Sequence, residues 1–276
     1  MENDITPPPS PTSAITTTPR PIHLPLLNRG QNPEVLIFNL ETIKRLRDEH
    51  GILGILIGTL PQYPQQNLFL SIPLKLIVWE VVWLVENGFG VLVDQLKYRN
   101  LKTQAGFKNS NKISLGNKAQ EEVANFNIIK NCDSDNDDDE NEELISTCIV
   151  PLKEYISDYL RNGSCTQDQF LSGYHKFKHL KSLGYYISPG LKFGGDLVIY
   201  PGDPLRYHSY SIVKFDFVDL NEIIVGGRLA TGVKKNMIIM DTSTSSSQKS
   251  EHQSLEEELH SEVSPIAFSI EWAGFG

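Results

Sequence analysis

The apolar and polar positions of the first third of the chain predict alternating strands and helices. VLIFN is typical of a buried strand, and the LETIKRLRDEHG that follows is typical of a helix closed by Gly51. Ser71 is a candidate N-cap for a second helix, with Pro73 in its first turn, which would run to Gly88. The run GVLVD adds a strand. We therefore predict a small N-terminal α/β domain at residues 21–97.

The last 129 residues, 148–276, predict helices followed by strands. IVPLKEYISDYL and TQDQFLSGYHKFKHLKSLG have helical spacing, and the second helix should end at Gly184. YYIS and DLVIY predict a hairpin, while SYSIVKFDFV, KKNMIIM and PIAFSIEW predict further strands. Asp219 with Glu222 forms a capping box for a short helix that should end at or just beyond Gly226 and Gly227. The fold class is α/β (α+β), with a C-terminal mixed sheet flanked by helices.

Three polar segments interrupt this pattern. Residues 1–20 are rich in Pro, Ser and Thr and are predicted to be a disordered N-terminus, and 98–147 are predicted to form a low-complexity acidic linker. Residues 241–263 are predicted to be a disordered loop inserted in the C-terminal domain. The run DSDNDDDENEE at 133–143 holds eight acidic residues and accounts for most of the net charge of −9, so the acidic balance does not exclude a polyanionic substrate.

The acidic run does not form a calcium loop. Asp133, Asp135 and Asp137 have the first spacings of an EF-hand. The sixth position is Asp138, where the turn needs glycine, and the twelfth is Leu144, where a bidentate Glu is needed. A disordered acidic linker is the simpler interpretation.

Composition and targeting signals favour an intracellular, reduced, soluble protein. No stretch of about 18 apolar residues is present, which argues against a transmembrane helix. The start MENDITPPPSPTS lacks the basic and apolar parts of a secretory signal. No two of the three cysteines form a CxxC pair, and their spacing fits neither a disulfide framework nor a zinc ribbon.

Common cofactor and metal motifs are missing from the sequence. It contains no phosphate loop, GxGxxG, GxSxG or HExxH, and no ExK triplet accompanies a strand. His175 and His179 have the i, i+4 spacing of metal ligands, but lysines at 176 and 178 would repel a cation, so an exposed helix face is expected. We predict no metal and no cofactor.

The stretch KFGGDLVIYPGDPLRYHSY is the densest in potential chemistry. Tyr200 ends a predicted strand, and His208 comes eight residues later, before the next strand. A hairpin can bring both side chains to one edge of the sheet, and Lys234 or Lys235 at the next strand can reach the same edge. By residue type alone the pattern is weak, because a strand tyrosine usually packs and a loop histidine is usually just solvated.

Tyrosine, histidine and lysine together suit metal-free cleavage of RNA. The 2′-hydroxyl must lose a proton to attack the adjacent phosphate, and the leaving 5′-oxygen must gain one. Histidine titrates in the range needed to exchange a proton with these oxygens. A lysine ammonium can stabilise the charge on the phosphorane, and a tyrosine can act as base or orienting group.

Several separate motifs resemble one known family. The runs GYYISPGLKFGGDLVIYPGDPLRYHSYSIV, GRLATGVKK and IEWAGF resemble the catalytic domain of the tRNA-splicing endonuclease, in the eukaryotic (fungal) form of its 3′ splice site subunit. GILGILIGTLPQYPQQNLFLSIPLKLIVWEVVWLVENG is similar to the N-terminal region of that subunit. The resemblance covers residues 22–97 and 168–275 and omits the acidic linker and the Ser-rich loop.

The resemblance implies roles for individual residues. It places the catalytic tyrosine at Tyr200, the histidine at His208 and the lysine, in a VRK-like motif, at Lys235. Lys234 competes with Lys235, because a shift of one residue turns a side chain to the other face of a strand. The resemblance further implies that Arg228 and Trp272 clamp an RNA base at the active site of a partner subunit.

The resemblance also implies an activity and an assembly. It implies an RNA endonuclease that cuts precursor tRNA at the 3′ splice site, leaving a 2′,3′-cyclic phosphate and a 5′-hydroxyl. It implies a heterotetramer of two catalytic and two structural subunits, located in the nucleus or on the cytosolic face of the mitochondrial outer membrane. Two alternatives are a non-catalytic structural subunit of the same complex and a metal-dependent nuclease on a similar sheet.

Overall fold

Two five-stranded sheets organise the described part of the chain. The computed structural model describes residues 20–58, 71–113, 138–163, 165–215, 219–242, 255–261 and 263–271. The elements of the N-terminal part are β1 (Ile22–Leu27), β2 (Glu34–Ile37), α1 (Leu40–His50), β3 (Ile55–Gly58), β4 (Ser71–Lys75), α2 (Val78–Glu86) and β5 (Gly90–Asp94). Their strands lie in the order β3-β4-β2-β1-β5, with β1 parallel to β5 and the other pairs antiparallel.

The segment that begins at Ser71 is a strand, which corrects the predicted helix start. β4 pairs with β2 on one side and with β3 on the other, and Leu74 is buried. Helix α2 begins only at Val78, where the Glu80 carboxylate accepts a hydrogen bond from the Ile77 N–H at 2.9 Å. Pairing with two distant strands, which the local sequence does not encode, overrides the capping signal of Ser71.

The C-terminal part is a mixed sheet between two helices, as predicted. Its elements are α5 (Leu152–Asn162), α6 (Gln167–Ser182), β6 (Tyr186–Pro189), β7 (Leu197–Tyr200), β8 (Ser211–Phe215), α7 (Leu220–Gly232), β9 (Asn236–Asp241), α8 (Leu255–His260) and β10 (Ile266–Ile270). The order is β10-β9-β8-β7-β6, with only β8 and β9 parallel among these pairs. Phe177 and Leu180 of α6 pack on one face of the sheet, and Ala230 of α7 packs on the other.

Helix α7 continues past its glycine pair to Gly232, further than the sequence predicts. Its N-cap is as predicted, because the Asp219 side chain accepts a hydrogen bond from the Glu222 N–H at 2.7 Å. A Cβ at Gly226 would lie 2.8 Å from the sulfur of Met237, so the glycine lets the helix approach β9 closely. Here glycine serves packing and does not end the helix.

Parts of the segments predicted to be linkers are helical. Within 98–147, the structure has α3 (Gln95–Ile113) and α4 (Asp138–Thr147), so the acidic run is partly helical. Within 241–263 it has α8, whose Leu259 is buried in the core of the N-terminal part. Burial of one apolar face stabilises a helix that local composition does not favour. Residues 1–19, 114–137 and 243–254 lie outside the described part of the chain.

The two sheets are joined by a shared core. Tyr155 and Ile156 of α5 and Tyr174 of α6 pack in one cluster with residues of the N-terminal sheet. Val150 extends the contact through a backbone hydrogen bond from its N–H to the Leu92 carbonyl at 2.9 Å. The N-terminal elements are therefore held firmly against the sheet that carries the candidate site.

Candidate active site

The ends of three strands meet at one edge of the C-terminal sheet. Ile199 of β7 pairs with Ser211 of β8, and Ser211 pairs with Asn236 of β9. Because β7 runs antiparallel to β8 while β9 runs parallel to it, the end of β7 lies beside the starts of the other two strands. Tyr200 ends β7, and Lys235 immediately precedes β9. The structure thus places this tyrosine and this lysine at the same edge, as predicted from the sequence.

Tyr200 is half-buried and packs on the α7 side of the sheet. It borders the cluster formed by Val198, Ile212, Ala230 and Met237. The alternation of a strand puts Tyr200 on the same face as Val198, two residues earlier. Its ring therefore has a packing role at the rim of the sheet, whatever its hydroxyl does.

The loop between β7 and β8 is a structured turn. The carboxylate of Asp203 accepts a hydrogen bond from the Leu205 N–H at 2.8 Å, and its main-chain carbonyl accepts one from the Tyr207 N–H at 2.9 Å. A Cβ at Gly202 would lie 2.7 Å from the Tyr207 ring, so only glycine allows this close approach. His208 follows the turn with its side chain exposed to solvent. An exposed imidazole is accessible to a substrate.

Lys235 is turned toward the loop that carries His208. Its ammonium donates a hydrogen bond to the main-chain carbonyl of Ser209 at 2.9 Å and another to the Ser209 hydroxyl. The same ammonium lies 5.0 Å from the centre of the Phe193 ring. Burial lowers the pKa of Lys235 below its ordinary value.

Lys234 has a different environment from its neighbour. It adopts a left-handed backbone conformation with φ of 55° in the turn after α7, and its side chain is exposed. Only Lys235 among the two has hydrogen bonds to the loop between β7 and β8 in the described part of the chain. This contact favours Lys235 as the catalytic lysine, and the assignment stays a prediction.

Of the two residues of the implied clamp, only Arg228 lies in the described part of the chain. Arg228 is exposed on α7, directly after the buried Gly227. Trp272 lies outside the described residues. The clamp therefore stays a prediction that the geometry does not test.

Sequence patterns alone missed Arg47. This residue of α1 binds the carboxylate of Asp203, although 156 positions separate the two residues. No local motif marks such a contact. Paired substitutions at both positions among relatives would be the signal that reveals it.

The prediction that His175 and His179 lie on an exposed helix face is wrong for His175. His175 is buried, with 7% of its surface exposed, instead of lying on an exposed helix face. Burial lowers its pKa, and Lys178 lowers it further. The described residues contain no group of three His, Cys, Asp or Glu side chains that could hold a metal ion. Among the helices described, none is long and apolar enough to cross a bilayer.

Two protein families match this chain. Residues 27–95 match the family described as TSEN34-like, N-terminal domain. Residues 170–248 match the family described as tRNA intron endonuclease, catalytic C-terminal domain. The second match contains Tyr200, His208 and Lys235.

Curated relatives agree with the family matches. The chain is 32% identical to the probable tRNA-splicing endonuclease subunit sen34 of Schizosaccharomyces pombe, over 87% of this chain and 95% of the relative. It is 30% identical to the tRNA-splicing endonuclease subunit SEN34 of Saccharomyces cerevisiae, over 87% of this chain and 99% of that protein. A human protein, tRNA-splicing endonuclease subunit Sen34, is 37% identical over 24% of this chain and 23% of its own length.

Proposed function

The chain belongs to the Sen34 family of tRNA-splicing endonuclease subunits, and we propose that Tyr200, His208 and Lys235 form its active site. It is the catalytic subunit that cleaves precursor tRNA at the 3′ splice site. The observation that carries the site assignment is the hydrogen bond between the Lys235 ammonium and Ser209, which joins the start of β9 to the loop of His208. This contact supports one composite site at the edge of the sheet.

The chemistry of this set is transesterification. The 2′-hydroxyl of the nucleotide before the cut loses its proton and attacks the adjacent phosphate, and the 5′-oxygen leaves with a proton. We assign the proton exchange to His208, because imidazole can both accept and donate a proton and this exposed side chain can reach a bound substrate. Tyr200 orients the 2′-hydroxyl or accepts its proton, and in the second case His208 donates the proton that the leaving 5′-oxygen gains. Lys235 stabilises the charge on the phosphorane. The products are a 2′,3′-cyclic phosphate and a 5′-hydroxyl, the outcome of a lyase-type reaction.

The chain acts as a subunit of the tRNA-splicing endonuclease complex. We infer a heterotetramer of two catalytic and two structural subunits, with a structural subunit pairing along β10. Two features support the inference: β10 lies at the edge of its sheet, and its apolar residues Ile266 and Phe268 are 46% and 65% exposed. An apolar edge strand exposed in a free protein would favour aggregation, whereas a partner strand would cover it.

The test is cleavage of an intron-containing precursor tRNA by the complete complex in EDTA. Wild type is compared with His208→Ala and with a control, His260→Ala, which removes an exposed histidine of α8. We expect the complex with His208→Ala to lose the 3′ cut and keep the 5′ cut. It should still elute as one complex that contains all subunits. The control should cut both junctions.

The alternatives give other results. If His208→Ala still cuts both junctions, the chain is a structural subunit and the site assignment is wrong. If EDTA abolishes the 3′ cut of wild type while a polyamine keeps the tRNA folded, a metal-dependent nuclease is the better interpretation.

A further inference from the structure

An ion pair joins helix α1 to the loop that carries His208. Arg47 donates two hydrogen bonds to Asp203, from Nε to Oδ2 at 3.0 Å and from Nη2 to Oδ1 at 2.6 Å. Both side chains are partly buried, with 28% and 25% of their surfaces exposed. This paired geometry fixes the direction of the carboxylate as well as its position.

The carboxylate of Asp203 also belongs to the turn before His208. The oxygen that binds Arg47 Nη2 accepts the Leu205 N–H at 2.8 Å, and the Asp203 carbonyl accepts the Arg206 N–H at 2.8 Å. One side chain therefore connects α1 to the backbone of the loop. Displacement of Asp203 would move the turn that leads to His208.

The end of α1 is itself fixed against the C-terminal sheet. The Lys181 ammonium donates hydrogen bonds to the carbonyls of His50 at 2.8 Å and Gly51 at 3.1 Å. Ile52 forms a parallel β-bridge with Ile187 of β6. Since β6 pairs with β7, the end of the helix that carries Arg47 is connected through β6 to the strand that carries Tyr200.

We propose that Arg47 is a positioning residue for 3′ cleavage, which holds the loop through Asp203 so that His208 meets Tyr200 and Lys235. This inference rests on the proposed function and assigns a task in that reaction to the N-terminal part of the chain. A displacement of about 1 Å at an active site can cost about 100-fold in rate. A lysine at this position would keep the charge but lose the paired geometry.

The experiment measures single-turnover cleavage of both junctions of precursor tRNA by the complete complex. The variants are Arg47→Met, Arg47→Lys, Asp203→Asn and the double variant Arg47→Met with Asp203→Asn. We expect Arg47→Met to slow the 3′ cut about 10- to 100-fold, with the 5′ cut and the half-saturating tRNA concentration unchanged. Arg47→Lys should recover part of the rate. The double variant should be no slower than the worse single variant, because both changes break one interaction.

Arg45→Gln is the matched control. Arg45 lies on the same helix and, within the described part of the chain, donates hydrogen bonds to Glu49 at 2.9 Å and to the Arg20 carbonyl at 2.8 Å, not to the loop. It should cut both junctions at the wild-type rate. Amide hydrogen exchange adds a readout independent of catalysis, and the N–H groups of Leu205 and Arg206 should exchange faster in Arg47→Met than in Arg45→Gln.

Three results would overturn the inference. These are a wild-type rate of 3′ cleavage in Arg47→Met, equal slowing of both junctions, and slowing of the 3′ cut without faster exchange in the loop. The His208→Ala complex separates this inference from the proposed function. If His208→Ala abolishes the 3′ cut while Arg47→Met does not slow it, only the inference fails. If His208→Ala leaves the 3′ cut intact, the site assignment itself fails.

Discussion

The ammonium of Lys235 lies 2.9 Å from the main-chain carbonyl oxygen of Ser209, the residue that follows His208. One contact therefore links the residue before β9 with the loop between β7 and β8. The partial burial that accompanies it lowers the pKa of Lys235. A cation fixed in this way needs little reorganisation when negative charge develops on a phosphate beside it, which is the condition for electrostatic catalysis.

Replacing this lysine should remove the 3′ cut selectively. Lys235→Met keeps most of the side-chain volume and removes the charge and both hydrogen bonds to Ser209. We expect the single-turnover rate at the 3′ junction to fall about 100-fold or more, because one donor to a developing oxyanion typically contributes that much. The 5′ junction of the same substrate should be cut at the wild-type rate.

Lys234→Met is the control for this change, since it removes the neighbouring charge from an exposed turn. Lys234→Met should slow the 3′ cut less than about threefold, because water and salt screen the interaction of an exposed charge with the substrate. A large loss in Lys234→Met with normal cleavage in Lys235→Met would reverse the assignment of the two lysines.

The contact between α6 and α2 should not tolerate a methyl group at Gly173. A Cβ there would lie 2.5 Å from Cζ2 of Trp79, in the core that joins the two parts of the chain. We expect Gly173→Ala to lower the free energy of unfolding by about 1–3 kcal/mol, as overpacking does elsewhere. Urea denaturation of the purified chain measures it.

Gly232, the last residue of α7, offers the comparison. A Cβ at Gly232 would meet nothing within 4 Å, so Gly232→Ala should change the free energy of unfolding by less than about 0.5 kcal/mol. Equal stability of the two alanine variants would show that Trp79 moves aside without cost.

The elements predicted correctly are those whose pattern is complete within one segment. β7 is a run of apolar residues, LVIY, and α1 ends at a glycine with φ of 59°. β4 was predicted to be helical because its partners β2 and β3 are remote in sequence. The sequence does not predict α8 for a similar reason, since its two leucines, Leu255 and Leu259, pack in a core made by other segments.

The candidate site divides in the same way. Tyr200, His208 and Lys235 belong to short motifs, so the sequence was sufficient to propose them. The resemblance already favours Lys235 over Lys234, and the direction of the Lys235 side chain, which depends on the turn after α7, adds support that the sequence does not contain. The contribution of Arg47 depends on how the two sheets pack, and no local pattern carries that information.

The buried carboxyl of Glu80 should make stability depend on pH. It is fully buried, and burial raises its pKa to about 7, although the N–H groups of Gly54 and Ile77 donate hydrogen bonds to it. Between its ordinary pKa of 4.5 and about 7, the folded chain holds a proton that the unfolded chain releases. The contribution of Glu80 to the free energy of unfolding should therefore fall by about 3 kcal/mol as the pH rises through this window. Desolvation lowers the pKa values of three histidines, which contribute in the opposite direction: His23, His50 and His175.

Urea denaturation at several pH values between 4.5 and 7 measures this slope. Position 80 cannot titrate in Glu80→Gln, so the free energy of unfolding of this variant should lack the fall of about 3 kcal/mol that Glu80 contributes. The control Glu41→Gln removes an exposed carboxylate from α1 and should keep the wild-type slope. An identical slope in wild type and Glu80→Gln would mean that other groups cause the pH dependence.

Arg228 should serve the active site of the other catalytic subunit instead of its own. Its side chain is exposed on α7, and a guanidinium can stack on an unpaired base of the precursor tRNA. We expect Arg228→Ala to slow the 5′ cut of the complete complex about 10-fold, the size of one lost base stack, and to leave the 3′ cut unchanged. Arg228→Lys should not restore the rate, because an ammonium has no planar face. Arg161→Ala, which removes an exposed arginine paired with Asp158, controls for the loss of positive charge. Slowing confined to the 3′ junction would instead place Arg228 at the site of its own chain.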